Sequence, residues 1–180
     1  CSLFSSAQTG YWSNGGWSGS DSEIAESTSN WNNNYRRALR NTSYDNFEFY
    51  CSKWKGSTTT GKVGCIVFRY TATNAYYALT QEKDTGIFRL KKNNHNSGNN
   101  TNQLASYNGP DNAEPSVKII ANGTSIIVEI AGVERMNVTD ATHSGGDFGF
   151  MKSKRYDDNN HIYNITLTEL SSCSVGSASS

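Results

Sequence analysis

The sequence predicts an all-β chain folded as an antiparallel β-sandwich. Three observations carry that prediction. Between residues 44 and 170, short runs rich in β-branched and aromatic residues recur, each bounded by Gly, Asn, Asp or Ser. Inside the runs, apolar and polar residues alternate, which sends them to opposite faces of a pleated strand. No segment keeps the 3.6-residue period of an amphipathic helix.

Taken in order, residues 1–43 read as irregular. Turn signals stand at Ser13-Asn14-Gly15-Gly16 and around Trp31, and Trp12 and Trp17 punctuate the stretch. Strands follow at 44–51 and 64–70, with residues 55–61 reading as the hairpin loop between them. Two more are predicted at 76–80 and 86–91. Residues 93–116 form the longest polar loop, because their Asn and Gly favour turns. Strands at 116–120 and 125–130 flank Asn122-Gly123, a strong hairpin signal. The last are 149–151 and 161–167. Residues 1–173 make one domain, with 1–43 packing on the sandwich, and residues 174–180 form a flexible tail or linker.

Alternation assigns faces. Val117 and Ile119 oppose Lys118, and Ile126, Val128 and Ile130 oppose Ile127 and Glu129. If Phe88 and Leu90 are core, Arg89 and Lys91 take the other face. Tyr77 and Leu79 likewise leave Tyr76, Ala78 and Thr80 there, and Ile66 and Phe68 leave Arg69 with them. Trp54, at a strand end, reads as a packing residue.

The four cysteines, Cys1, Cys51, Cys65 and Cys173, favour an oxidising compartment. If 55–61 is a hairpin centred near Thr58, Cys51 falls opposite Cys65, which leaves Cys1 to pair with Cys173; the plain alternative is four buried free thiols. The Cys51–Cys65 pairing places Cys65, Val67 and Arg69 on the face of Phe47 and Phe49. It conflicts with the face assignment for Arg69: either a bulge intervenes or that assignment is wrong. Sequons at Asn41, Asn99, Asn122, Asn137 and Asn164 fit a secreted, extracellular glycoprotein. Asn122, in its turn, is the first choice for occupancy. With 16 basic and 16 acidic side chains, bulk charge draws neither nucleic acid nor an anionic membrane. No apolar run is long enough for membrane insertion as a helix.

The order of the pieces resembles the concanavalin A-like lectin/glucanase superfamily, in its laminin-G-like, sugar-binding and glycoside-hydrolase branches. The matching pieces are DNFEF at 45–49, GCIVFR at 64–69, YYAL at 76–79, GIFRL at 86–90, KIIANGTSIIV at 118–128, VTDAT at 138–142 and GGDFGF at 145–150. The resemblance covers roughly residues 44–170. It implies a jelly roll of two antiparallel sheets, one concave. It also implies glycan or polysaccharide binding on that face or at the loop rim, and in some members a structural calcium ion.

Catalysis by laminarinase-like members uses two Glu and an Asp on one strand, so that two carboxyls stand about 5–5.5 Å apart. Here Glu82-Lys83-Asp84 lacks the third carboxylate and reads as a solvated turn, while Glu129 and Glu134 are isolated. The motifs of jelly-roll alginate lyases are missing. His95, His143 and His161 read as polar surface. Arg69, Tyr76, Arg89 and Lys91 form the candidate ligand-binding set, since Tyr rings stack on sugars and Arg presents directed donors. The plain alternative is that they are solvent-facing positions paired with Glu48 or Glu129. Asp140, Asp147, Asp157 and Asp158 could supply calcium ligands or simply form turns.

The expectation is a secreted, non-catalytic, lectin-like carbohydrate-binding module with no cofactor beyond such a calcium ion. Two others stand beside it. One is an extracellular adhesion or assembly glycoprotein, with self-association or matrix partners. The other is a glycan-active hydrolase or lyase.

Overall fold

The computed structural model describes residues 4–8, 11–14, 17–20, 23–26, 36–55, 64–82, 85–93, 102–110, 113–152 and 161–170. Along them run the strands β1 (Phe4–Gln8), β2 (Tyr11–Asn14), β3 (Trp17–Ser20), β4 (Glu23–Glu26) and β5 (Arg36–Ser43). Next come β6 (Phe47–Lys55), β7 (Gly64–Ala72), β8 (Ala75–Glu82), β9 (Ile87–Lys92) and β10 (Gln103–Asn108). The series ends with β11 (Val117–Asn122), β12 (Ser125–Ile130), β13 (Val133–Thr139), β14 (Asp147–Lys152) and β15 (His161–Leu170).

Two antiparallel sheets result. The nine-stranded sheet runs β13-β12-β11-β6-β15-β4-β3-β2, with β1 also on β15, and the six-stranded sheet runs β10-β9-β8-β7-β14-β5. The predicted all-β sandwich is therefore the observed fold. Its core is the meeting of the two alternating faces. Phe47, Phe49, Val117, Ile119, Ile126, Val128 and Leu167 come from the larger sheet. Ile66, Phe68, Tyr77, Leu79, Phe88, Leu90, Phe148 and Phe150 come from the smaller. Rings cross the interface edge-on, with Phe47 at 5.6 Å from Phe68 and 5.4 Å from Phe148. Trp54 is buried against Phe88 at 6.1 Å, the packing role its position predicts.

Four expectations need correction. Residues 1–43 are not irregular, since they contribute β1 to β5; their Ser, Gly and Asn hide strands that backbone pairing with neighbours sustains. The loop at 93–116 contains β10, which pairs with β9. Strand β13, absent from the sequence reading, pairs with β12. Finally, β6 and β7 are not a hairpin. Strand β6 is held on both sides by β11 and β15, and β7 belongs to the other sheet.

The last point removes the Cys51–Cys65 disulfide. Cys51 points into the core, while Cys65 lies on the far face of the six-stranded sheet with Val67, Tyr76 and Ala78, and the two thiols are not bonded. Burial pushes the Cys51 thiol up to about 12, against weaker lowering by backbone groups of Val117 and Lys53. Burial also pushes Cys65 up, opposed by nearby Lys91. Cys1 and Cys173 lie outside the described residues.

Candidate functional site

Three of the four predicted ligand residues do share a face. The side of the six-stranded sheet turned away from the core is crossed by the register rows Cys65–Thr80–Arg89 and Val67–Ala78–Lys91. Tyr76 joins them and stacks on Tyr70 at 5.6 Å. This face is not open: Tyr76, Thr80 and Lys91 are buried. Burial lowers the Lys91 pKa, and Arg89 beside it lowers it further. Glu82 is not a solvated turn residue, because β8 continues through it. It is buried and accepts hydrogen bonds from Arg89 and Thr85. Its neighbours Lys83 and Asp84 lie outside the described residues.

Arg69 does not belong to that face. A bulge shifts the β7–β8 register after Phe68, and Arg69 takes a left-handed φ of 50°. With the cysteine pairing gone no conflict remains to require a bulge; this one, beyond Phe68, aims Arg69 at one rim of the sandwich. There the buried guanidinium donates Nε (3.1 Å) and Nη2 (2.6 Å) to the Asp45 carbonyl and Nη1 (3.0 Å) to the His143 carbonyl. One side chain thus ties the approach to β6 to the loop between β13 and β14, residues 140–146.

The rest of that loop is equally fixed. Asp140 accepts from Lys92 Nζ at 2.7 Å, from the Tyr77 hydroxyl at 2.6 Å and from the Thr142 amide at 2.9 Å. Burial alone would raise its carboxyl, but the bonds from Lys92, Thr142 and Tyr77 outweigh it and hold the group well below the usual carboxylate range. The Tyr77 hydroxyl also accepts from the His143 amide, and the His143 ring meets the Asn93 carboxamide at 2.6 Å. Gly146 takes φ 137° and packs directly on the bulge; a Cβ there would lie 2.6 Å from the Tyr70 carbonyl. Only glycine lets the loop approach so closely.

Around this scaffold opens a cavity of about 290 Å³, lined by Asp45, Asn46, Gly123, Thr124, Ala141, His143 and Ser144. The Asn46 carboxamide oxygen accepts from the Gly123 amide at 2.7 Å, which leaves its NH₂ to point elsewhere. The lining therefore offers a carboxylate, an amide donor, two hydroxyls and an imidazole. Among the described residues no cation lines it, since Arg69 and Lys92 are turned to protein acceptors. Nothing in the sequence alone brings these residues together, and His143 reads there as polar surface. The available signal was the Asp45-Asn46 pair ahead of a strand, together with the Asn122-Gly123 turn.

The calcium candidates do not assemble here. Asp140 commits both carboxylate oxygens, and Asp147 begins β14 opposite Tyr70 and Ser43. No cluster of metal-ligating side chains occurs among the described residues. Asp157 and Asp158 lie outside them, as do Asn99 and His95. Asn122 and Asn137 are exposed on strands, and so is Asn164, while Asn41 lies in β5.

Such a sandwich with a loop-rimmed polar cavity has the concanavalin A-like jelly-roll fold. No family model matches the sequence, and no curated protein matches it. Solved structures do. A carbohydrate-binding module of Bacillus subtilis, CBM66, is 16% identical, covers 88% of this chain and 92% of its own, and superposes with a TM-score of 0.60. The calcium-bound exoplasmic/lumenal domain of VIP36 is 10% identical over 91% and 85%, with a TM-score of 0.65. Bacillus licheniformis β-glucanase is 14% identical over 94% and 93%, at 0.52. At these identities the likeness is one of fold.

Proposed function

We propose that this chain is a secreted, non-catalytic carbohydrate-binding module that holds a neutral sugar residue in the rim cavity. The observation that carries this reading is the cavity's pre-set lining. Asp45, Asn46, Thr124, His143 and Ser144 present donors and acceptors, while separate residues fix the backbone beneath them. Directed polar groups already in place keep the ordering cost of binding low. Hydroxyl-rich ligands match alternating donors and acceptors. A lining with one carboxylate and no cation among the described residues disfavours uronic or sialic acids.

The fold neighbours support the same class. One is named a carbohydrate-binding module, and VIP36 is also seen in a Man3GlcNAc-bound form. Others are named glycosyl hydrolases, but hydrolysis by the usual route needs two carboxyls flanking the bond. Among the described residues the cavity has only Asp45, and Glu82 sits on the other face in an ion pair with Arg89.

A glycan array followed by calorimetry tests the reading. Neutral glycans should bind and acidic ones should not. Asp45→Ala should weaken the best neutral ligand at least tenfold, about 1.4 kcal/mol. No neutral ligand on the array, or unchanged affinity in Asp45→Ala, would overturn it.

A further inference from the structure

We infer that Asn122 is an N-glycosylation site whose glycan closes the rim cavity, so that occupancy of this sequon controls sugar binding. The inference rests on the carbohydrate-binding reading of the cavity. Asn122-Gly123-Thr124 is both a sequon and the β11–β12 turn, and two of its three residues, Gly123 and Thr124, line the cavity. Asn122 follows the outward positions Lys118 and Ile120 of β11 and is itself exposed. The turn is anchored to the rim by the Gly123 amide on Asn46 and the Thr124 carbonyl on the Asp140 amide, and a Cβ built on Gly123 would meet nothing within 4 Å, so space is open beside it. A sugar on Asn122 starts one residue from the lining, about 3.8 Å along the chain.

Comparison with the sequons at Asn137 and Asn164 favours this one. The Asn137 amide donates to Glu134 at 3.1 Å. The Asn164 amide donates to Ser52 at 2.8 Å, from a residue held at φ 50°. A sugar on either would share its Nδ2 with a bond that the fold makes, leaving a single N–H to keep it. Asn122 makes no side-chain hydrogen bond among the described residues, so its amide is available. In the reaction its Nδ2 loses one proton and bonds to the anomeric carbon of a lipid-linked oligosaccharide pyrophosphate, whose anomeric C–O bond breaks as the lipid pyrophosphate leaves. Attachment precedes or accompanies folding, and the finished fold then places the first sugars at the cavity mouth. The same chain would bind external glycan when unmodified and refuse it when modified.

The full chain made in a secretory eukaryotic host tests this. Peptide mass spectrometry should find Asn122 occupied. The wild type should bind the neutral ligand found on the array at least tenfold more weakly than Asn122→Gln from the same host. Asn137→Gln, which removes a different sequon, should match the wild type. An unmodified Asn122 overturns the inference, and so does equal affinity of wild type and Asn122→Gln when both bind. If even Asn122→Gln and unglycosylated bacterial protein bind no glycan, the cavity reading itself falls. That outcome is distinct from a failed gate, in which both forms bind alike.

Discussion

Replacing Arg69 by alanine should unsettle the rim from beneath. Three donated bonds vanish, and they served two acceptors, the carbonyls of Asp45 and His143. A hydrogen bond from a charged group contributes about 1.5–3 kcal/mol, so two acceptors lose roughly 3–6 kcal/mol. Part of that is returned, because the guanidinium no longer has to be kept out of water at a buried site. A net loss of about 3 kcal/mol remains. For a chain of this size it lowers Tm by about 6–12 °C. Denaturant unfolding gives the free energy, and calorimetry of the best neutral glycan gives the effect on the cavity. Arg69→Lys should recover only part of the stability, since one ammonium cannot span two carbonyls in the guanidinium's fork. Sugar binding should weaken in Arg69→Ala because Asp45 and His143 lose their common anchor. If Arg69→Ala unfolds within 1 kcal/mol of the wild type, the clamp is not a clamp. If it then also loses sugar at unchanged stability, Arg69 reads the ligand directly, as the sequence alone would have it.

Other consequences follow from the same geometry. Ala131 and Gly132 both take positive φ, 53° and 76°, in the β12–β13 turn. This is the pattern that favours Asn-Gly, so Ala131→Asn should stabilise the chain by about 0.5–1 kcal/mol in denaturant unfolding. The Asp140 carboxyl titrates lower folded than unfolded, so its stabilising effect is complete above the ordinary Asp range near pH 4 and fades as pH falls below it. Asp140→Asn should therefore cost stability at pH 7, and the gap to wild type should narrow steadily between pH 4 and pH 2; a gap independent of pH refutes the assignment. Cys51 and Cys65, buried and with raised pKa values, should resist alkylation in native protein and react in denaturant without any reductant. Mass spectrometry that finds them linked to each other would restore the disulfide excluded above.

What was legible in the sequence was the period-two signal, and it was legible where the side chains carry it. Strands β6, β7, β8, β9, β11 and β12 bury their alternate residues against the opposite sheet, so apolar and polar positions had to alternate. The first five strands lack such a pattern because Ser, Gly and Asn dominate several of them; β1 to β4 are ordered by pairing with β15 and with one another, and β5 by pairing with β14. The cysteine error has a similar origin. Sequence distance suggested a hairpin, yet consecutive strands in a sandwich can belong to different sheets, and nothing local marks the crossing between β6 and β7. The face shared by Tyr76, Arg89 and Lys91 was legible by alternation. The departure of Arg69 was not, since a bulge changes the count of residues by one and reverses everything after it. The cavity was least legible of all. Its walls come from three segments far apart in sequence, and they meet because sheet register brings the turns to one end.

That register also explains why the rim, rather than the sheet face, is the better place for a ligand. Lys91 and Thr80 point away from the core and yet are buried, and Glu82 beside them is occupied by Arg89. Buried charge is tolerated only when it is matched, and a sugar entering that face would have to replace bonds already made between protein groups. The net gain from such an exchange is small, because each new contact is set against one lost. At the rim the sequence arranges the opposite. Arg69, Lys92 and Tyr77 satisfy the backbone and Asp140 from below, while the Asp45 carboxylate above feels the Arg69 charge but makes no salt bridge among the described residues and lines the opening. Polar groups that still face water exchange it for ligand at little cost, and their fixed positions convert that exchange into selectivity. The division of labour between bonded scaffold and open lining is what a substitution at Arg69 breaks, and it is why that change should register in stability and in sugar affinity together.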